Sequence, residues 1–66
     1  MKIKYDIEVD VLIIRLSDEK VVESDESKKG VIIDYDKDGN VVSIEILDVS
    51  KKSGSPMKVE YELTPK

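Results

Sequence analysis

Val31-Ile32-Ile33-Asp34-Tyr35-Asp36-Lys37-Asp38-Gly39-Asn40-Val41-Val42-Ser43-Ile44-Glu45-Ile46-Leu47 is the stretch whose pattern decides the fold. Apolar residues stand at every second position on both sides of its centre: Val31, Ile33 and Tyr35 before it, Val42, Ile44 and Ile46 after it. Successive side chains of a strand point to opposite faces, so this spacing predicts two strands that each bury one face. Most of these residues are β-branched, as strands prefer. Asp38-Gly39 between two such runs is a strong hairpin signal, because glycine reaches the positive φ that tight turns require. With Asp38 and Gly39 as the turn, Tyr35 faces Val42, Ile33 faces Ile44 and Val31 faces Ile46. Asp34 then faces Ser43, and Ile32 faces Glu45, on the other side. A three-residue loop would set Tyr35 against Ser43 and break the match, so an even loop is expected.

The same stretch also reads as the calcium loop of an EF-hand, with acids at Asp34, Asp36, Asp38 and Glu45 and glycine at the sixth place. Calcium favours such clustered oxygens, but an EF-hand loop is flanked by helices, and here β-branched runs flank it. The hairpin register sets Glu45 opposite Ile32, roughly 13 Å along the strand from the level of Asp36 at about 3.3 Å per residue, too far to close a cage. A turn is the expected role of this segment. Asp34, Asp36 and Asp38 remain as weak candidates for a metal held by the loop alone.

Working outward, a shift of 30 positions maps Ile3, Tyr5, Asp6, Val11 and Ile14 onto Ile33, Tyr35, Asp36, Val41 and Ile44. Transferring the register predicts a first hairpin with Tyr5 opposite Leu12, Ile3 opposite Ile14, and a four-residue turn over Ile7 to Asp10. Val11 to Leu16 is apolar on both faces apart from Arg15, which suits a central strand. A short strand is expected at Val21 to Ser24, a mobile polar loop at Asp25 to Gly30, and a helical turn at Asp48 to Lys52. Ser50 to Pro56 reads as a linker, most flexible from Ser53 to Pro56. Alternation of Met57, Val59, Tyr61 and Leu63 predicts a C-terminal strand ending at Thr64-Pro65. The expected fold is therefore mainly β: residues 1–66 form one small antiparallel sheet of two related hairpins plus a C-terminal strand, with one short helical turn.

Composition excludes several chemistries. The chain has 66 residues and neither cysteine nor histidine, so disulfides, thiolate sites and nucleophile–histidine arrangements are ruled out. A net charge of −4 with one arginine, Arg15, argues against a nucleic-acid binder, whose affinity rests on neutralising phosphates. No run approaches the roughly 20 apolar residues of a membrane span, and the opening resembles no signal peptide, so a cytoplasmic location away from membranes is expected. Asp6, Glu8 and Asp10 cluster in the first turn, but a glycosidase pair needs an enclosed cleft, which a chain this short rarely builds. No catalytic residue and no cofactor are expected.

Arg15 is the odd charge on an otherwise apolar strand and needs a partner if buried. The echo relates it to Glu45, and a pseudo-twofold between the hairpins would let the two pair across the sheet. Lys2, Lys4, Lys58 and Glu60 guard the polar faces of the terminal strands against edge-to-edge association. Val11 and Ile13 have no such guard. Val11, Ile13 and Arg15 are accordingly expected to form an interaction surface, covered by the C-terminal strand, a second copy or another protein.

The segments Tyr5 to Leu16 and Gly30 to Leu47 together resemble a small prokaryotic family, domain of unknown function family 2283, over roughly residues 1–52. Members usually carry proline or small residues in the first turn and a glycine before the Ile-Glu-Ile stretch; here Ile7, Val9 and Ser43 stand in those places. The resemblance implies a compact β-rich domain with no established activity, and some members are thought to be the partner half of toxin–antitoxin pairs. The expected function is a protein-interaction or assembly module, most simply a homodimer. A calcium-binding module and an antitoxin-like partner are the alternatives.

Overall fold

The structure, a computed structural model, describes residues 1–54 and 58–65. Lys2–Asp6 (β1) and Val11–Arg15 (β2) form the first hairpin, with Ile3 opposite Ile14 and Tyr5 opposite Leu12 around a turn at residues 7–10. This is the register carried over from the second hairpin. Asp10 takes the positive φ, 57°, that a glycine would otherwise supply in this turn.

Glu23–Lys28 (β3), Val31–Tyr35 (β4) and Val41–Leu47 (β5) complete a five-stranded antiparallel sheet in the order β1-β2-β5-β4-β3. Ile14 pairs with Ile44 directly, and these two are each other's equivalents in the 30-residue echo. The repeat is thus expressed as a local twofold between the hairpins, with β2 and β5 side by side at the centre. Val31 lies opposite Ile46, Ile33 opposite Ile44 and Asp34 opposite Ser43, as the alternation demands.

The second turn differs from expectation. The N–H of Asp36 bonds the carbonyl of Asn40 (2.9 Å) and that of Gly39 bonds the carbonyl of Asp36 (3.1 Å), so three residues, Lys37 to Gly39, span the closing pair. Gly39 at φ 81° makes this odd loop possible. Tyr35 then pairs with Val41 rather than Val42, and a bulge on β5 absorbs the extra residue before Ser43. The two departures cancel, which keeps Ile33 and Ile44 matched. The bulge also frees the carbonyl of Val42 to accept the N–H groups of Leu16 (2.8 Å) and Ser17 (3.4 Å), and Val42 is fully buried.

Two further expectations are corrected. The third strand occupies Glu23–Lys28, not Val21 to Ser24, so most of the expected mobile loop is an edge strand paired to β4. Residues 58–65 form no strand, and Lys58, Val59 and Tyr61 lie on the other face of the sheet from Val11 and Ile13; Ser55, Pro56 and Met57, part of the expected linker and strand, lie outside the described residues. β1 and β3 are free at the two edges of the sheet, and residues 58–65 pair with neither, because alternation alone does not secure a partner.

Val49–Ser53 (α1) is the short helix, overlapping the expected linker. Its N-cap, Asp48, makes no side-chain cap bond. Asp10 supplies the cap instead, accepting the N–H (3.1 Å) and hydroxyl (2.6 Å) of Ser50 and the hydroxyl of Tyr5 (2.8 Å). Gly30, at φ 81°, turns β3 into β4 and donates to Glu26 (2.9 Å). A Gly30→Ala side chain would meet the Lys52 ammonium at the end of a long side chain that can swing aside, so its main cost lies in the backbone. Urea denaturation should register a loss of about 1 kcal/mol.

Candidate functional site

Strand alternation divides the sheet into two unlike faces. Ile3, Leu12, Ile14, Ile33, Ile44 and Ile46 project to one, the isoleucine face. Helix α1 covers one end of it through Val49, and residues 58–61 cross the rest without filling it. A hollow of about 430 Å³ remains among Leu12, Val31, Ile46, Val49 and Val59, and another of about 350 Å³ among Met1, Ile3 and Tyr61. Val42 and Val49 are the only apolar residues that are buried among the described residues, and of the two Val42 is buried completely.

The opposite, carboxylate face carries Val11, Ile13 and Arg15 on β2, Ser43 and Glu45 on β5, Asp34 on β4 and Ser24 on β3. Ile13, Arg15, Val21, Ser24, Asp34 and Glu45 line a shallow cleft of about 350 Å³, with Ser43 at its base. Asp34, 4% exposed, accepts hydroxyl bonds from Ser24 and Ser43, each 2.6 Å. Burial pushes its carboxyl up, but the Ser24 and Ser43 hydroxyls, the adjoining Glu45 and the charge of Arg15 outweigh burial and hold it below the usual range. Glu45 moves the other way, raised by the bond it shares with Asp34, by burial and by repulsion from the Asp34 charge. The two carboxyls thus hold one proton between them more readily than either would alone.

The sequence-derived candidates are distributed over this framework as follows. Val11, Ile13 and Arg15 share one face, half-buried, with Ile13 and Arg15 in the cleft. Arg15 sits diagonally from Glu45, since Ile13 is the residue opposite Glu45 and Ser43 the one opposite Arg15. The ion pair that a pseudo-twofold would allow does not form; Arg15 donates to the carbonyl of Glu19 (3.1 Å), and its charge acts on Asp34. Of the acids considered for a metal, Asp34 belongs to the cleft, Asp38 is exposed, and Asp36 turns back into its own loop. Asp36 accepts the N–H groups of Asp38 and Asn40, both at 2.9 Å, which hold its carboxyl low with the Asn40 bond dominant. No three acids among the described residues are arranged to hold an ion.

Sequence reasoning missed the Asp34–Glu45 pair and the Asp10 clamp. Asp34 opposite Ser43, next to Ile32 opposite Glu45, already placed the two acids diagonally on one face, where side chains reach one another. Ser24 left no such signal, because its strand is polar throughout. Asp10 likewise requires knowing that α1 folds back onto the first turn.

No helix among the described residues is long and apolar enough to cross a membrane. No curated protein and no solved structure matches the chain. Residues 2–50, which span both hairpins, the cleft and the start of α1, match the family described as Protein of unknown function (DUF2283), and the chain belongs to that family.

Proposed function

We propose that the protein is an assembly module that pairs with a second copy of itself through the isoleucine face. The observation that carries this reading is surface area. The folded chain exposes 5465 Å², whereas a monomer of 7.5 kDa is expected to expose about 4,200 Å². The excess of roughly 1,200 Å² is shared between residues 58–65, exposed throughout, and the isoleucine face, where Ile3 is exposed and Leu12, Ile14, Ile33, Ile44 and Ile46 are only half-buried; it compares with the approximately 800 Å² that each partner buries in a standard interface. The chain is also flat, 35 × 34 × 19 Å, the form of one sheet awaiting a second layer. Two such sheets stacked about 10 Å apart would enclose the isoleucine side chains as a shared core.

The face with Val11 and Ile13, expected from sequence to make the contact, is the weaker choice. A partner there would strip water from the Asp34 and Glu45 carboxyls, leaving Arg15 and, at the β1 edge, Lys2 and Lys4 to compensate. On the isoleucine face the acids Glu23 and Asp25 stand only at the β3 edge, opposite Tyr35 and Ile33, and the centre carries no charge.

Light scattering at about 10 μM should give twice the 7.5 kDa of one chain, within the affinity range of an interface of standard size. The thermal midpoint should rise with protein concentration, as mass action requires of a folded dimer. A single-chain mass up to about 100 μM, with a concentration-independent midpoint, would defeat the reading.

A further inference from the structure

Resting on that reading of a self-paired module, we propose that residues 58–63 of each copy add as a strand to the free edge of β1 in the other copy. Val59, Tyr61 and Leu63 alternate with Lys58, Glu60 and Glu62. That is the pattern of a strand with one apolar face. Within its own chain the segment forms no strand, and Val59, Tyr61 and Leu63 are 53%, 77% and 80% exposed. Its one ion pair among the described residues, Lys58–Glu60 at 3.3 Å, is in solvent and contributes little. The segment therefore has the side chains of a strand without a ladder or a covering layer.

The sheet offers two free edges, and charge chooses between them. On β1 the side chains of Lys2 and Lys4 project to the carboxylate face and Ile3 to the isoleucine face. A strand added there with Val59, Tyr61 and Leu63 on the isoleucine face sets Glu60 and Glu62 beside Lys2 and Lys4. Opposite charges then meet across the new pair. At the other edge, β3 sets Glu26 on the carboxylate face and Glu23 and Asp25 on the isoleucine face, with Lys28 at its end, so the same segment would meet an acid with its own acids and two charges with its apolar side chains. The lysines that keep β1 from pairing at random thus admit a strand flanked by acids.

The hollows under residues 58–61 argue for exchange between copies. Crossing its own sheet, the segment leaves about 430 and 350 Å³ unfilled and none of its backbone in a ladder. Moving onto a neighbour's edge satisfies the backbone and clears the isoleucine face for the second sheet. A twofold-symmetric dimer makes the exchange twice.

Two full-length variants test this, both altering exposed side chains: Lys2→Glu with Lys4→Glu, and Glu60→Lys with Glu62→Lys. Alone, each sets like charges against each other at both exchanged strands, and sedimentation should show association weakened at least about tenfold. Mixed in equal amounts, they should form a heterodimer within about threefold of the parent affinity, because both strand pairs regain opposite charges. A mixture that stays as weak as its components, or variants that each dimerise like the parent, would overturn strand exchange while leaving self-assembly intact. A monomeric parent chain would instead remove the assembly reading on which the exchange depends.

Discussion

Replacing Asp34 with alanine is expected to cost about 2–3 kcal/mol of folding stability, the largest loss from any one polar side chain in this protein. The reason is its position under the cleft. Asp34 accepts two hydroxyl bonds of 2.6 Å from strands on either side of it, Ser24 on β3 and Ser43 on β5, and so ties three strands through one carboxylate. Bonds to a charged acceptor contribute more than neutral ones, and Ser43 is too buried to find water once its partner is gone. Relief of Asp34's own desolvation, and of its repulsion on Glu45, offsets part of the loss and keeps the figure from being larger. A chain of this size has a total stability of only about 3–10 kcal/mol, so a urea midpoint at fixed concentration should move visibly. Asp34→Asn, which retains one acceptor oxygen, should fall between alanine and the parent. A change below about 0.5 kcal/mol for alanine would show that the serine hydroxyls find other partners without cost.

How much of this was legible beforehand depends on what a side chain reports. Ile3, Leu12, Ile14, Ile33, Ile44 and Ile46 alternate because one side of their strands is covered or meant to be, and their register could be read directly from the sequence. The turn at Lys37 to Gly39 could not, because an odd loop followed by a bulge gives the same matched isoleucines as an even loop without one. β3 was displaced because Glu23 to Lys28 is an edge strand with water on both sides, and exposure on both sides leaves no alternation. Residues 58–63 show the converse. Their alternation is strand-like, yet no edge within the chain pairs with them. Periodicity records which side of a segment is to be buried and is silent about what buries it. Arg15 illustrates a finer limit: the echo related it correctly to Glu45, but in an antiparallel pair the symmetry-related residue is directly opposite only at Ile14 and Ile44, and Arg15 lies one place beyond.

Stability should also vary with pH in a way that assigns the shared proton. Asp10, Asp34 and Asp36 sit below the ordinary 3.8 in the folded chain. Each therefore contributes stability that is complete above its unfolded value and lost as pH falls through the folded one. Glu45 sits above its ordinary 4.5. Its contribution is complete below that value and lost as pH rises through the raised one. On acidification from pH 7 the protein should first gain stability as Glu45 takes up its proton and donates to Asp34, and then lose it below 3.8 as the three aspartates are neutralised. Maximum stability belongs between those limbs, on the acid side of neutrality. Glu45→Gln separates the two effects, since its amide donates to Asp34 at every pH and carries no opposing charge. The variant should be more stable than the parent at pH 7 by about 1 kcal/mol, a charge-assisted bond discounted for partial exposure. It should show no gain on the way down to 4.5 and should keep the acid limb unchanged. If Glu45→Gln is instead no more stable at neutrality and still gains on mild acidification, the proton resides elsewhere. The cleft would then be a scaffold of serine hydroxyls around a lone Asp34, with Glu45 facing solvent.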